Sequence, residues 1–400
     1  MRIGLASPFN PAAFADRLGP DVPQWHRGAT AVHILAGELL AAGHELTVFT
    51  SYSGKGPVRE FSGERLRILA VPRTGALPLP GKRLFVARRL KKVIAKEIGN
   101  LDVLHAQWTY DYALAAAAFS QRIPTFCTVR DWAPLQLQLQ TAWDGRFYWL
   151  QSLYMARKVL KDTHIHFIAN SAYTERCLLA DDPGKTVEVL PNPIRKESIL
   201  QERTDYPDHP VLVSVCQSID ARKNIGTLLE AFQLYRQQRP EAELHLGGND
   251  FIPGHPKLDP WKRKMDGVHL HGWLDREDLK RLLDRASVMV LPSLEETFGN
   301  VLLEGMARRV EVVGGRESGA VPAVLGQGKY GVLCDVTDPA DLCRALTEAE
   351  KREHVAAATD YLADAFASDR IAARQIDIYK SFVAQENNRP SERSDESAAG

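Results

Sequence analysis

Short apolar runs alternate with amphipathic stretches along the first half of the chain. Residues 2–6 and 45–49 are typical of buried strands, and the helical pattern over residues 29–42 between them ends at Gly43-His44. Further strands are predicted at residues 66–71, 103–105, 125–129 and 166–169, with helices such as 84–98 and 112–120 between them. Because helices separate the strands, the pattern indicates a parallel sheet covered on both faces.

The same alternation restarts after a proline-punctuated segment, residues 191–210. Strands are predicted at residues 211–216, 243–247, 268–271 and 288–291, and helices at 225–237 and 276–286. We therefore expect two doubly wound, Rossmann-like α/β domains, residues 1–195 and 209–370, joined by a linker over residues 196–208. Residues 371–385 are expected to form a helix that packs back on the first domain, and the polar tail 386–400 is expected to be disordered.

Composition excludes several classes of function. The 400 residues include 50 basic and 50 acidic side chains, so no overall field favours nucleic acid, and no nucleic-acid partner is expected. Five cysteines are scattered without a C-x-x-C pair or a nearby histidine cluster, which argues against a zinc site and a disulfide framework. Pro8 interrupts the first apolar residues too soon for a signal peptide, and no run of about 18 apolar residues occurs. We expect a location in the reducing cytoplasm.

The stretch EETFGNVLLE, residues 295–304, follows a predicted strand and opens the next helix. Gly299 is unsuited to a helix interior, so Glu296 is expected on the loop before the helix and Glu304 inside it. The helix dipole and the free N–H groups of Gly299, Asn300 and Val301 suit a phosphate. Two carboxylates beside a phosphate are explained if each accepts hydrogen bonds from hydroxyls of a nucleotide sugar. The alternative is a helix-capping Glu296 and a solvated or paired Glu304.

A basic pair, Arg222-Lys223, lies where the predicted strand 211–216 gives way to the helix 225–237. Ligands of doubly wound folds bind at the carboxyl ends of the strands, and two such domains face a common cleft. A cation at this place can neutralise a leaving diphosphate. The alternative is that both are ordinary surface charges on a loop.

These residues resemble the retaining glycosyltransferases of family 4, which share the two-domain GT-B fold. The most specific likeness is Pro292-Ser293-x-x-Glu296-x-Phe298-Gly299 continuing to Glu304-Gly305-Met306-Ala307, which is similar to the family's signature of two glutamates separated by seven residues. Supporting likenesses follow in the expected order: Gly43-His44, residues 102–108, Asn170-Ser171, Pro191-Asn192-Pro193, Arg222-Lys223-Asn224, Gly272-Trp273 and Gly331-Val332-Leu333. The resemblance spans nearly the whole ordered chain.

The resemblance implies roles for these residues. It implies that Glu296 touches hydroxyls of the transferred sugar, that Glu304 binds the ribose of the donor nucleotide, and that backbone amides after Gly299 meet the phosphates. Gly248 and His271, which follow the next two strands, resemble segments that line the pocket of the nucleotide base.

Several positions depart from the family's pattern. Ser218 stands where an arginine is frequent, so one phosphate-binding cation is missing unless Arg222 replaces it. Arg130 stands where the family has a histidine beside the donor sugar. It is expected to reach the diphosphate or to pair with a carboxylate of a substrate, with a structural ion pair to Asp131 or another buried acid as the alternative. The family has two adjacent glycines that approach the phosphates, and this chain has only one glycine there, Gly28.

One segment, residues 82–96, holds seven cations and no acid on a helical pattern with apolar positions such as Leu84 and Phe85. Such a helix can lie on an anionic membrane surface. A peripheral location on the inner face of the cell membrane is therefore expected beside the cytoplasmic one. The alternative is a helix that covers the first sheet and presents a solvated basic face.

The predicted function is transfer of a sugar, with retention, from a nucleoside-diphosphate sugar to a glycan or lipid-linked acceptor, in surface polysaccharide biosynthesis of the bacterial type. No cofactor and no metal are expected, because the leaving diphosphate can accept the acceptor's proton and no Asp-x-Asp motif follows a strand. The alternative is a catalytically weak nucleotide-sugar-binding subunit that acts with a partner protein. It is supported by the departures at Arg130, Ser218, Arg309 and Glu311.

Overall fold

The computed structural model describes residues 1–25, 28–73, 82–140 and 143–387. The first sheet has eight strands: β1 (Arg2–Ala6), β2 (Glu45–Ser53), β3 (Arg59–Gly63), β4 (Leu66–Arg73), β5 (Val103–Gln107), β6 (Thr125–Val129), β7 (Ile165–Ala169) and β8 (Val187–Val189). Their order is β3-β4-β2-β1-β5-β6-β7-β8, and all neighbours are parallel except β3, which pairs antiparallel with β4.

Helices cover both faces of this sheet. They are α1 (Ala15–Leu18), α2 (Thr30–Ala41), α3 (Lys82–Glu97), α4 (Asp111–Ala116), α5 (Ala133–Leu139), α6 (Trp143–Leu160) and α7 (Ala172–Asp181). One core joins α3 and α4 to the sheet, and a second core joins α2 to it. The strands are continuous apolar runs because a parallel sheet between two helical layers buries both of its faces.

The second sheet has six parallel strands. They are β9 (Val211–Val215), β10 (Glu243–Gly247), β11 (Val268–Leu270), β12 (Val288–Leu291), β13 (Glu311–Gly315) and β14 (Val332–Cys334), in the order β11-β10-β9-β12-β13-β14. The helices between and after them are α8 (Ile225–Gln238), α9 (Arg276–Asp284), α10 (Asn300–Ala307), α11 (Val321–Val324), α12 (Pro339–Ala349) and α13 (Val355–Ala365). When β9 to β14 are renumbered 1 to 6 along the chain, the order is 3-2-1-4-5-6, which is the Rossmann order. Its topological switch point lies between β9 and β12.

The last helix, α14 (Ser368–Asn387), returns to the first sheet. Ile371, Ile376 and Tyr379 lie in the core of that sheet. The hydroxyl of Tyr379 lies 2.5 Å from Nδ1 of His105 on β5. Burial lowers the pKa of His105 to about 3, so this contact is made by a neutral imidazole. The helix includes residues 386 and 387, which were predicted to be disordered, and residues 388–400 of the predicted tail lie outside the described residues.

The predicted α/β architecture is confirmed, but several elements were not predicted, among them β3, β8, α5 and α6. Strand β3 has only one half-buried apolar side chain, Phe61, so it lacks the apolar run by which the other strands were recognised. Strand β8 has three residues, and its side chains are half-buried or exposed. Helix α5 begins with Pro134 in its first turn, and α6 keeps several aromatic side chains exposed. None of the described helices combines the length and apolar character that crossing a membrane requires.

Candidate active site

A cavity of about 600 Å³ opens between the two sheets at the carboxyl ends of their strands. Its lining includes eight residues that the sequence predicted for the site: Gly28, Arg130, Gly248, Glu296, Gly299, Asn300, Val301 and Glu304. Most of them follow β12, β10 or β6 directly or lie in the first turns of α10. The cavity therefore lies at the switch point of the second sheet, where doubly wound folds bind ligands.

Gly299 forms the turn between β12 and α10. Its φ of 87° lies in the left-handed region that side chains other than glycine rarely adopt, which confirms that the helix begins after this residue. No side chain caps α10 within the described part of the chain. The first N–H groups of the helix, those of Asn300 and Val301, are thus left for a ligand, and the positive end of the helix dipole favours an anion.

Glu296 lies on the loop before α10, as predicted, and is held by two cations. Lys223 Nζ lies 2.5 Å from its Oε1, and Arg222 Nη1 lies 3.2 Å from the same oxygen. Burial opposes ionisation of Glu296, but Lys223 and Arg222 together hold its pKa below the usual range. Both cations are largely shielded from solvent, with 13% and 18% of their side chains exposed, so they are not ordinary surface charges.

Glu304 lies one turn inside α10 and lines the same cavity. Its carboxylate has no hydrogen-bond partner among the described residues, so the alternative of a paired Glu304 is wrong. Burial raises its pKa to about 7, and Arg276 on the opposite wall only partly counteracts that effect. A half-buried, unpaired carboxylate is costly unless a ligand supplies donors. The hydroxyl groups of a ribose are donors of the required kind.

Arg130 lies at the junction of the two domains. Its Nε donates to Gln107 Oε1 at 2.7 Å, and its Nη1 donates to Oδ1 of Asn192. Asn192 in turn donates to Oδ1 of Asn300 at 2.8 Å, so the arginine is linked to the first residue of α10. The alternative of an ion pair with Asp131 is wrong, because Asp131 instead accepts from the hydroxyl of Tyr110. Burial lowers the pKa of Arg130 to about 10, which still leaves it charged near neutral pH.

A second cavity, of about 660 Å³, opens beside the first, and Trp108 lines both. Its polar walls include Arg73, Arg83, Tyr110 and Asp131. Burial raises the pKa of Asp131 to about 6. Arg83 pairs with Asp111 at 2.9 Å, whereas the only described partner of Arg73 is the hydroxyl of Ser51 at 2.8 Å. This second cavity was not predicted, because its residues come from separate elements and form no sequence motif.

Four predicted residues, Arg222, Lys223, Ser218 and His271, are not among the residues that line the cavity. Gly248 lines the cavity and must be glycine, because a Cβ there would lie 1.8 Å from the carbonyl oxygen of Cys216. Ser218 lies in the turn after β9 and is not among the lining residues. His271 does not line the cavity either, and its ring stacks on that of His245 at 5.0 Å. The lining residues that the site prediction missed include Asn192, Arg195 and Arg276. Asn192 belongs to a recognised motif, but the two arginines carry no motif.

Comparison with known proteins identifies the family. Residues 209–351 match Glycosyl transferases group 1, and residues 28–198 match Glycosyltransferase Family 4. N-acetyl-alpha-D-glucosaminyl L-malate synthase of Bacillus anthracis is 30% identical over 375 residues, covering 88% of this chain and 93% of that protein. The chain belongs to glycosyltransferase family 4. D-inositol 3-phosphate glycosyltransferase of Salinispora tropica is 28% identical over 214 residues, a match that spans 50% of this glycosyltransferase and 44% of that protein.

Solved structures share the fold. Sucrose-phosphate synthase from Thermosynechococcus elongatus superposes with a TM-score of 0.76 at 19% identity, covering 96% of this glycosyltransferase and 100% of that chain. HepE from Anabaena, solved in complex with UDP and glucose, superposes with a TM-score of 0.67 at 13% identity, covering 95% and 100% of the two chains. The glycosyltransferase therefore has the two-domain GT-B fold.

Proposed function

We propose that this glycosyltransferase transfers a sugar, with retention of configuration, from a nucleoside-diphosphate sugar to a glycan or lipid-linked acceptor. The observation that carries the proposal is the arrangement around α10. An uncapped helix start lies between an unpaired carboxylate, Glu304, and a cation-bound carboxylate, Glu296. In a nucleoside-diphosphate sugar, the charged diphosphate lies between the hydroxyl groups of the ribose and those of the sugar. This order matches a helix start that lies between two carboxylates.

In this proposal the diphosphate binds the first N–H groups of α10, and Lys223 and Arg222 neutralise its charge. Glu304 accepts hydrogen bonds from the ribose hydroxyls, and Glu296 accepts them from the sugar. The solved complexes of HepE with UDP and glucose and with UDP-glucose support a donor of this class. Gly248 lies where the backbone approaches the nucleotide closely.

Transfer breaks the bond between the anomeric carbon and the oxygen of the β-phosphate. The acceptor oxygen forms the new bond on the same face, and its proton passes to the departing phosphate oxygen. No side chain has to act as a strong base, so an arginine at position 130 is compatible with catalysis. The helix start and the two cations stabilise the negative charge that develops on the diphosphate. We propose that transfer needs no metal ion and no cofactor for this reason.

The second cavity is the proposed acceptor site, because it adjoins the donor cavity at Trp108. Next to it, α3 presents a basic and apolar surface. Leu84 and Phe85 are exposed by 40% and 57%, and Arg88, Lys91 and Lys92 are exposed on the same helix. Trp143, Phe147 and Tyr154 on α6 are exposed as well. We propose that this surface binds anionic lipid, which would hold a cytoplasmic enzyme on the inner face of the membrane near lipid-linked acceptors.

A panel of UDP-, GDP- and ADP-sugars tests the donor proposal and names the nucleotide. Thermal unfolding reports binding, and slow hydrolysis of the donor reports catalysis. An enzyme is stabilised by one nucleotide class and hydrolyses it, whereas a catalytically weak binding subunit would be stabilised without turnover. Nothing in the comparisons favours the subunit. Failure of every nucleotide sugar to stabilise the protein would contradict the proposed function.

Sedimentation with lipid vesicles tests the membrane proposal separately. The protein should bind vesicles that contain phosphatidylserine and not vesicles of phosphatidylcholine alone. Changing both Lys91 and Lys92 to Glu should abolish that binding while donor hydrolysis in solution is unchanged. Equal binding of the parent to both kinds of vesicle would refute an electrostatic membrane surface.

A further inference from the structure

A cluster of histidines and one glutamate lies on the edge of the second sheet, on strands β10 and β11. Glu243 and His245 project from the same face of β10 because they are two residues apart, and His269 is the register partner of His245 on β11. Nε2 of His245 lies 3.0 Å from Oε2 of Glu243, and Nε2 of His269 lies 3.9 Å from the same oxygen. The three ligand atoms all lie within 4.8 Å of one another.

We infer that this cluster is a binding site for a divalent transition-metal ion of the zinc type. The ligands are Nε2 of His245, Nε2 of His269 and Oε2 of Glu243, with water completing the coordination. Neither ligand histidine lines the donor cavity, and neither does Glu243, so the inference is independent of the proposed transfer reaction.

The geometry suits such an ion. Bonds of about 2.0–2.2 Å to nitrogen and oxygen place the ligand atoms of a tetrahedral site about 3.3 Å apart. The present spacings of 3.0 and 3.9 Å to the carboxylate bracket that value, and all three ligand atoms lie within 4.8 Å of one another. Two imidazoles and one carboxylate are a donor set of zinc and related ions, whereas calcium and magnesium prefer oxygen ligands alone.

His271 supplies the contact that a metal-binding histidine requires on its other nitrogen. Its Nε2 lies 2.8 Å from Nδ1 of His245. If Nδ1 of His245 carries the proton and donates it to His271, the Nε2 lone pair of His245 faces the metal. His209 lies on the far side of the carboxylate, with its Nε2 3.6 Å from Oε1 of Glu243.

The ordinary alternative is an ion pair between Glu243 and protonated histidines. The ring stacking argues against it, because His245 packs against His269 at 4.7 Å and against His271 at 5.0 Å. Several of these rings cannot carry a positive charge together without mutual repulsion.

The site also has a structural consequence. Strand β11 has only three residues and forms the edge of the sheet. A metal ion bound by residues of both β10 and β11 would stabilise the pairing of these two strands. Just beyond the cluster, Gly248 donates its N–H to the carbonyl of Gly272 at 2.7 Å. Gly248 and Trp273 line the donor cavity, so the metal would stabilise two strands that carry part of its wall.

Calorimetric titration of tag-free protein with Zn²⁺, after treatment with a chelator, tests the inference. The parent should bind one equivalent, and Co²⁺ in the same site should show the visible absorption of tetrahedral nitrogen and oxygen ligation without a thiolate band. His269→Gln removes an exposed ligand and should weaken binding at least about tenfold. The matched control, His164→Gln, changes an exposed histidine of the first domain and should leave binding unchanged.

A second variant tests the supporting contact, and a second measurement tests folding. His271→Phe should weaken binding by about ten- to a hundred-fold, because it removes the partner of Nδ1 without removing a ligand. In chelator the thermal midpoints of parent and His269→Gln should agree, and Zn²⁺ should raise only that of the parent. Absence of stoichiometric binding by the parent, or equal affinity in His269→Gln, would overturn the inference.

Discussion

Nζ of Lys223 lies 2.5 Å from Oε1 of Glu296, and this ion pair joins the carboxyl ends of two neighbouring strands. Lys223 follows β9 and Glu296 follows β12, and no other strand lies between these two in the sheet. In the free protein the carboxylate therefore holds the cation at the switch point of the sheet. In the proposed donor complex, the diphosphate would find a cation already oriented, at the cost of sharing it with Glu296.

Lys223→Met should slow donor hydrolysis and transfer by about ten- to a hundred-fold. A hydrogen bond to a charged group contributes about 1.5–3 kcal/mol, and each 1.4 kcal/mol of transition-state stabilisation corresponds to about tenfold in rate. The measurement is the turnover number with the donor identified by the nucleotide panel. Lys262→Met is the matched control, because this lysine is 71% exposed and its ion pair among the described residues is with Asp259. An unchanged turnover number in Lys223→Met would remove Lys223 from the catalytic residues.

Glu296→Ala should separate binding of the nucleotide from transfer of the sugar. Its proposed partners are the sugar hydroxyls, so affinity for the free nucleoside diphosphate should not fall. Affinity is even expected to rise, because Lys223 and Arg222 lose their carboxylate partner and become free for the phosphates. Transfer should decrease by about ten- to a hundred-fold for the loss of charged hydrogen bonds. Calorimetry with the nucleoside diphosphate and a transfer assay give the two values, and parallel losses in both would contradict the assignment.

Glu304→Ala should weaken binding of the free nucleoside diphosphate at least about tenfold, because each hydrogen bond from a ribose hydroxyl to a carboxylate contributes about 1.5–3 kcal/mol. Binding of the corresponding 2′,3′-dideoxy nucleotide should be equally weak in the parent and the variant. Glu317→Ala is a suitable control, since Glu317 is exposed and does not line the cavity. Full affinity in Glu304→Ala would refute the contact with the ribose.

The same carboxylate should make the stability of the ligand-free protein depend on pH. Burial raises the pKa of Glu304 to about 7 in the fold, above the ordinary value of 4.5 that it has when unfolded. The folded state therefore binds the proton more tightly, and this contribution is complete below about pH 4.5 and is lost as the pH rises through about 7. Relative to Glu304→Gln, the parent should lose about 1–3 kcal/mol of stability between these limits. Urea unfolding of both proteins at pH 5 and pH 8 measures the difference, and a constant difference would show that the carboxylate titrates normally.

The local features of the site could be predicted because each is encoded in adjacent residues. The left-handed turn at Gly299 needs a glycine, and a helix pattern directly after it fixes where the free N–H groups lie. The two sheets were predicted from apolar runs for a similar reason. Strand β3 was not predicted, because an exposed edge strand does not need a run of apolar residues.

Contacts between distant segments could not be predicted in this way. His245 and His269 are partners only because β10 and β11 pair in one register, and their separation in the sequence carries no metal motif. Asn192 and Asn300 meet only once the two domains are in place. The prediction that His271 binds the donor rested on the resemblance of its segment to a family segment, but its ring contacts His245 and it does not line the cavity.

Arg130 is the residue for which the sequence left two functional roles open. The structure holds its guanidinium between Gln107 and Asn192, and Asn192 reaches the start of α10, where the phosphates are proposed to bind. This link favours the diphosphate role, because a cation placed next to the helix start supplies the charge that is missing at Ser218. If Arg130 instead bound a carboxylate of the substrate, the transferred sugar would have to be acidic. No other described residue that lines the cavity indicates such a sugar.

Arg130→His is therefore expected to weaken the binding of every donor that has the same diphosphate by a similar factor. We expect a loss of about tenfold in affinity, because one partly screened charge-assisted contact is removed. The measurement is the affinity of a neutral nucleotide sugar and of its uronic-acid counterpart, each with parent and variant. Arg122→His, an exposed change in the same domain, controls for a general effect of losing an arginine. A loss confined to the uronic acid would assign Arg130 to a substrate carboxylate instead. Affinities equal to those of the parent for both sugars would leave Arg130 only its contacts with Gln107 and Asn192, and so a purely structural role at the junction of the domains.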